Sequence, residues 1–217
     1  MQHDTCYEVP DYTHFRMRKV AVLPVQVNLS KQCLLNYEQG GLVRPTDEEI
    51  ESIFYPLIYR AVQDRGYDVV GLAEMESALD AEGLKSIVQI YDYPPVRLGN
   101  ILGVDGLIYF TVRDVTSIIQ IQFDARIVET RHGLILWYDR YFKTGRGGFG
   151  GSVIEGTEWL VSSAGAAAVP FTAGASLAAG SAGRKLGDTM YKAITSMEKE
   201  IRVGVDDCMS GLPAGGS

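Results

Sequence analysis

At 217 residues, with 46% hydrophobic and 22% charged side chains, the chain is long enough for one good core and has the balance of an ordinary globular protein. A formal net charge of −7 argues against nucleic acid as a partner, because a phosphate backbone rewards clustered Lys and Arg. Cys6, Cys33 and Cys208 are too few and too scattered for a disulfide framework or a metal cluster. They read as buried or inert thiols, of which one pair could close in an oxidising compartment.

The opening residues, MQHDTCYEVPDYTHFRMRK, hold no apolar stretch of the kind a secretory signal needs. Either the protein is cytoplasmic or the numbering begins after a removed signal. In that case Cys6, close to a polar N-terminus, would suit a lipidated cysteine. Residues 1–18 are expected to be an N-terminal extension to a core of residues 19–144.

Lys19 to Val27 (KVAVLPVQV) predicts a buried first strand, with Pro24 placing its second half at an edge or bulge. After a polar loop, Thr46-x-x-Glu49 is a capping box ahead of a helix. Ile50, Ile53, Phe54, Leu57, Ile58, Ala61 and Val62 share one face of it, and Pro56 predicts a kink or a fresh start. Gly66 ends the helix and Tyr67 to Val70 resumes as a strand, completing a β-α-β unit. Two short helices are expected at Glu74–Ala81 and Pro95–Leu102.

Leu107–Val115 predicts the next strand. From Ser117 to Glu129 the pattern alternates, with Ile119, Ile121, Phe123, Ala125 and Ile127 on the dry face. Gln120, Gln122, Asp124, Arg126 and Val128 fall on a wet face. A turn at Arg131-His132-Gly133 returns the chain as Leu134–Phe142. The expected fold class is α/β with a mixed sheet, a β-α-β lead-in, a C-terminal antiparallel hairpin and helices packed on it.

Composition changes after Lys143. Residues 145–152 are a glycine-rich hinge; Lys143 and Thr144 precede the glycines, so a lysine-bearing phosphate loop is not spelled. Residues 153–209 form a small-residue-rich helical region, with no charge from Trp159 to Gly183, and residues 210–217 a disordered tail. The uncharged stretch is long enough to cross a bilayer, but Gly, Ala and Ser scarcely favour hydrocarbon and Pro170 breaks its middle. It reads first as a helical hairpin packed on this chain or a neighbouring copy. Trp159, Gly165, Val169, Pro170, Phe171, Gly174 and Ala178 are the expected partner or oligomer contacts.

Catalytic constellations are missing from the pattern. His3, His14 and His132 are far apart, no metal-ligand spacing occurs, and Ser162-Ser163 has no nucleophile elbow around it. Acid pairs such as Glu48-Glu49 and Asp206-Asp207 read as solvated surface. No cofactor, no metal and no enzyme activity are expected.

The segments KVAVLPV, YPLIYRAVQDRGYDVV, LGNILGVDGLIYFTV and ARIVETRHGLILWYDR, followed by a small-residue region, resemble a family of bacterial lipoproteins. That family belongs to the wider group typified by the curli-secretion protein CsgG and the TolB N-terminal domain. The resemblance runs from about Lys19 to Gly183, departing at Arg131-His132-Gly133, where the hairpin usually carries Arg-Thr-Gly. It implies an α/β periplasmic domain at the inner face of the outer membrane that oligomerises and works with envelope secretion or assembly partners, a CsgG-like protein among them. It brings no catalytic residues. The expected function is a non-enzymatic envelope component. The rivals are a small-ligand or nucleotide-binding protein, using strand ends near Asp105 and glycines 147–151, and a membrane-inserting subunit built on 159–183.

Overall fold

The computed structural model describes residues 2–9, 15, 17–31, 33–35, 45–116, 120–144 and 199–215. These form a mixed sheet with helices packed on it, the expected fold class. The strands are β1 (Gln2–Glu8), β2 (Lys19–Val22), β3 (Gln26–Val27), β4 (Asp68–Val69), β5 (Gly106–Thr116), β6 (Gln120–Glu129) and β7 (Ile135–Thr144). Their order is β1-β7-β6-β5-β2-β4, with β3 paired to β5 beyond the end of β2. β2 runs parallel to β4 and β5, whereas β5, β6, β7 and β1 are successively antiparallel. The helices are α1 (Asp47–Asp64), α2 (Leu72–Ala81), α3 (Ile87–Asp92) and α4 (Pro95–Leu102), and residues 199–210 form a C-terminal helix.

β5 is covered on both faces: from Gly106 to Val115 every residue but Arg113 is buried. Side chains alternate across a strand, so Phe110 and Val112 look one way and Tyr109 and Thr111 the other. On the Phe110 side, Phe54 of α1 lies 5.6 Å from Phe110 and 5.9 Å from Phe123. Phe123 in turn stacks on Tyr141 at 4.9 Å, and Gly204 of the C-terminal helix lies directly against Tyr141 and Phe123. On the Tyr109 side, Tyr91 of α3 meets Tyr109 edge to face at 5.2 Å.

α1 forms as its sequence predicts. Thr46 accepts the Glu49 N–H, the Glu49 carboxylate accepts the Thr46 N–H, and Asp47, Glu48 and Glu49 complement the positive end of the helix dipole. Ile50, Phe54, Ile58 and Val62, at four-residue spacing, supply the buried stripe. The break expected at Pro56 does not occur, and the helix is continuous through it. Pro56 is on the exposed side, so the carbonyl left without an N–H partner can turn to water while the apolar stripe holds the axis.

Pro24 does interrupt its strand, and the gap is filled in an unexpected way. β2 stops at Val22, β3 resumes at Gln26, and the Phe110 peptide between them loses its ladder partners. The Tyr91 hydroxyl takes that place. It accepts the Phe110 N–H at 3.2 Å and lies 2.8 Å from the Phe110 carbonyl and 3.0 Å from the Pro24 carbonyl, to one of which it donates. Burial pushes the phenol well above its ordinary range, so it stays neutral as a donor.

Three further expectations need correction. Gln2–Glu8, assigned to an extension, is an edge strand on β7. Ile87–Asp92, left without an element, is a helix with a Ser86–Gln89 capping box. Finally, the tail expected to be disordered is docked as far as Gly215. Leu212 is buried, Tyr67 donates its hydroxyl to the Pro213 carbonyl at 2.9 Å, and the Gly215 N–H reaches the Arg65 carbonyl at 3.0 Å. One buried leucine and two backbone contacts outweigh a Gly/Ser-rich composition.

Tyr91→Phe is expected to lower unfolding free energy by about 1–3 kcal/mol in a urea titration, because it strands a buried peptide group while leaving the ring packing intact. An unchanged midpoint would remove the hydroxyl from the sheet's hydrogen bonding. Gly99→Ala tests the packing of α4 on the hairpin. A β-carbon there would lie 2.2 Å from Thr130 Cβ. Overpacking of about 1–3 kcal/mol should therefore cancel or exceed the gain of about 1 kcal/mol that Ala normally brings to a helix.

Candidate functional site

Polar side chains come together at the hairpin end of the sheet and on the face of β6 that the described helices leave open, called here the open face. At the hairpin end, Phe15, Val96, Asn100, Asp105, Glu129, Thr130, Arg131 and His132 line a hollow of about 660 Å³. Its carboxylates are already engaged. Asp105 accepts the Arg18 and Lys19 N–H groups, both at 3.0 Å, which holds the start of β2 against the start of β5. Glu129 accepts the Arg131 and His132 N–H groups at 2.6 and 2.8 Å, and the His132 ring Nδ1 lies 3.2 Å away. Thr130 donates to the Val104 carbonyl at 2.6 Å. Gly133, at φ 73°, closes the turn as predicted.

This arrangement holds a turn in place. Each carboxylate accepts two backbone N–H groups, which fixes its position against the chain. The hollow also lies at the amino ends of β2 and β5, whereas ligands of open α/β sheets bind beyond the carboxyl ends. The rival ligand site joined Asp105 to glycines 147–151. β7 ends at Thr144, opposite Gln120, at the other end of the sheet from Asp105, and the glycines lie outside the described residues. No group of three His, Cys, Asp or Glu side chains among the described residues could hold a metal ion.

The open face is the one predicted to be wet, but its centre is not solvated. Asp124 is buried at 9% exposure, clamped by Arg113 Nε at 2.9 Å and Arg140 Nε at 2.8 Å, with the Tyr138 hydroxyl at 3.4 Å. Arg126 lies over the Tyr109 ring, 4.5 Å from its centre. Burial pushes the Tyr109 phenol up to about 12, with Arg126 pulling the other way. The same register explains the geometry: Thr111, Asp124 and Arg140 are cross-strand partners, as are Tyr109, Arg126 and Tyr138. Alternation in β6 located this face. The arginines from β5 and β7 that make it a cluster were missed, because pairing across strands is not written in any one segment.

A third polar group lies at the far edge. Glu51 of α1 accepts the Val25 N–H at 3.2 Å, and its carboxyl is pushed upward by burial, then by the neighbouring Glu48 and Glu76 carboxylates. Cys33 and Cys208 are buried. Cys6 lies in β1, where it is the register partner of Asp139. Trp159, Gly165, Val169, Pro170, Phe171, Gly174 and Ala178 lie outside the described residues. No helix among the described residues is long and apolar enough to cross a membrane.

No family model matches the chain. It is similar to a protein of Neisseria meningitidis serogroup B named as a lipoprotein, with 28% identity over 134 residues, or 58% of this chain. That stretch spans 56% of the relative's length, so the chain matches little more than half of it. Among solved structures, lipoprotein GNA1162 from Neisseria meningitidis aligns with 70% of this chain and 99% of its own, at 20% identity and a TM-score of 0.44. A PelC dodecamer from Paraburkholderia phytofirmans aligns over 98% of both chains, at 8% identity and a TM-score of 0.46.

Proposed function

We propose that this chain is a non-enzymatic lipoprotein of the cell envelope, its α/β core held at the inner face of the outer membrane, where it associates with copies of itself and with secretion or assembly partners. The observation that carries this reading is the 134-residue similarity to a neisserial lipoprotein. The chemistry of the hairpin end supports it, since the carboxylates there brace backbone rather than face a substrate. The link to secretion, and to the CsgG and TolB group, rests on the sequence motifs alone.

In this reading Cys6 carries the lipid. A chain processed to begin at Cys6 would keep the Cys6–Glu8 pairing to Asp139–Trp137 and lose only the Gln2 and His3 pairs. The anchor would then sit beside the β7 edge of the sheet. Trp159, Gly165, Val169, Pro170, Phe171, Gly174 and Ala178 are proposed as contacts to envelope partners, in a small-residue region that lets another backbone approach closely.

The hollow at the hairpin end keeps a small-ligand reading as the second choice. One observation favours it, the volume, and the engagement of Asp105 and Glu129 with backbone N–H groups weighs against it.

Metabolic labelling with an alkyne fatty acid should tag the wild type and send it to the membrane fraction, while Cys6→Ser is unlabelled and released. Equal membrane recovery of an unlabelled wild type and its variant would overturn the anchor. A thermal-shift screen with nucleotides and sugars addresses the second reading. A ligand at about 100 times its Kd adds about 2.7 kcal/mol to stability, a readable shift; none is expected.

A further inference from the structure

Two of the three cysteines lie at one level of the sheet and on one side of it. On β7, Trp137, Asp139 and Tyr141 alternate with Tyr138 and Arg140, so they share the face opposite to the arginine cluster. All three are buried. The C-terminal helix packs on this face through glycines: a β-carbon at Gly204 would lie 2.9 Å from Tyr141 Cε1, and one at Gly211, just past the helix end, 3.6 Å from Trp137 Nε1. The helix therefore runs opposite to β7 and close to it. Seven helical residues rise about 10 Å and four strand residues about 13 Å, so the two glycines keep step with the two rings. Cys208, four residues after Gly204, then stands level with Asp139, and it is fully buried in one stripe with Ile201, Val205 and Leu212. The Tyr141 phenol is pushed up to about 12 by burial, then by Asp207, Glu200 and Cys208, which also puts that sulfur near this part of β7.

Cys6 comes to the same level from the neighbouring strand. In the pairing of β1 with β7 it is the register partner of Asp139, as Glu8 is of Trp137. Antiparallel register partners have Cα atoms about 5 Å apart and occupy one side of the sheet. Position 6 is thus beside Asp139, one strand over, on the side that the helix covers. A disulfide needs Cα atoms about 4–7 Å apart, closer than most helices approach a sheet, and glycines at 204 and 211 are what lets this helix backbone come down. Cys33 is placed elsewhere. Its N–H meets Ser30 Oγ, and the Ser30 N–H meets the Arg113 carbonyl of β5, three strands from β1.

We propose that Cys6 and Cys208 form a disulfide in the chain that carries no lipid on Cys6. Each thiol gives up one proton and one electron as the S–S bond forms. A small disulfide oxidant such as oxidised glutathione takes both electrons and both protons and leaves as two thiols. The bond clasps the edge strand β1 to the C-terminal helix and closes a loop of nearly the whole chain, which restricts the unfolded state most strongly. A lipid on Cys6 makes that sulfur a thioether and excludes the bond, so one sulfur has two exclusive states, anchor or clasp. The inference goes beyond the proposed function and does not rest on it.

The full chain, produced without lipid and treated with oxidised glutathione, tests the pairing. Thiol titration after denaturation should count all three cysteines before oxidation and one after it, and none in oxidised Cys33→Ser. Non-reducing peptide mapping should recover the peptides of Cys6 and Cys208 joined. Oxidation should raise the melting midpoint by about 5 °C or more, and Cys208→Ser should lose both the bond and the gain. Three thiols still titrating after oxidation overturn the clasp. A link that uses Cys33, or one that joins two chains, overturns the assignment of the pair. The fatty-acid label reports the anchor and the thiol count reports the clasp, so either reading can fail without the other.

Discussion

The fold follows from the requirement that β5 be covered on both faces. A strand of this composition, from Gly106 to Val115, buries nearly every side chain it has, so neither face can be left to water. α1 and the C-terminal helix cover one face through Phe54 and Gly204, packed against Phe110, Phe123 and Tyr141. α3 covers the other through Tyr91, close to α4. The short parallel strands β2 and β3 serve one edge of β5 and the long hairpin the other. Burial of this kind contributes about 25 cal/mol for each Å² of apolar surface, which is why the largest side chains converge on this strand.

Much of this architecture was legible in local pattern. The Thr46–Glu49 capping box marked the start of α1, α4 was expected at Pro95–Leu102, and alternation outlined β6 and its turn at Gly133. What was hidden depends on partners distant in sequence. Gln2–Glu8 has no hydrophobic alternation and becomes a strand because β7 offers it a paired edge. Asp124 reads as a solvated residue until Arg113 and Arg140 arrive from the flanking strands. Pro56 reads as a break until the burial of Phe54 and Ile58 is set against one missing hydrogen bond. For the candidate site, the wet face was visible and its charge was not.

The chemistry of the polar groups divides by location. At the ends of strands, Asp105 and Glu129 are bound to backbone N–H groups and act as braces for a chain reversal. On the open face, the arginines retain hydrogen-bonding capacity after satisfying Asp124. Among the described residues, the Nη groups of Arg113 and Arg140 keep that capacity at the surface of the sheet.

The Tyr91 hydroxyl ties two parts of the molecule that would otherwise open separately. α3 has only six residues, too few to persist as a helix by itself, and it is held by its packing and by that one phenol. Whenever α3 frays, the Phe110 amide at the middle of the sheet loses its acceptor at the same moment. The most deeply placed strand thus has one amide whose exchange with solvent deuterium is governed by a peripheral helix, and whose protection would report sub-global opening rather than global unfolding.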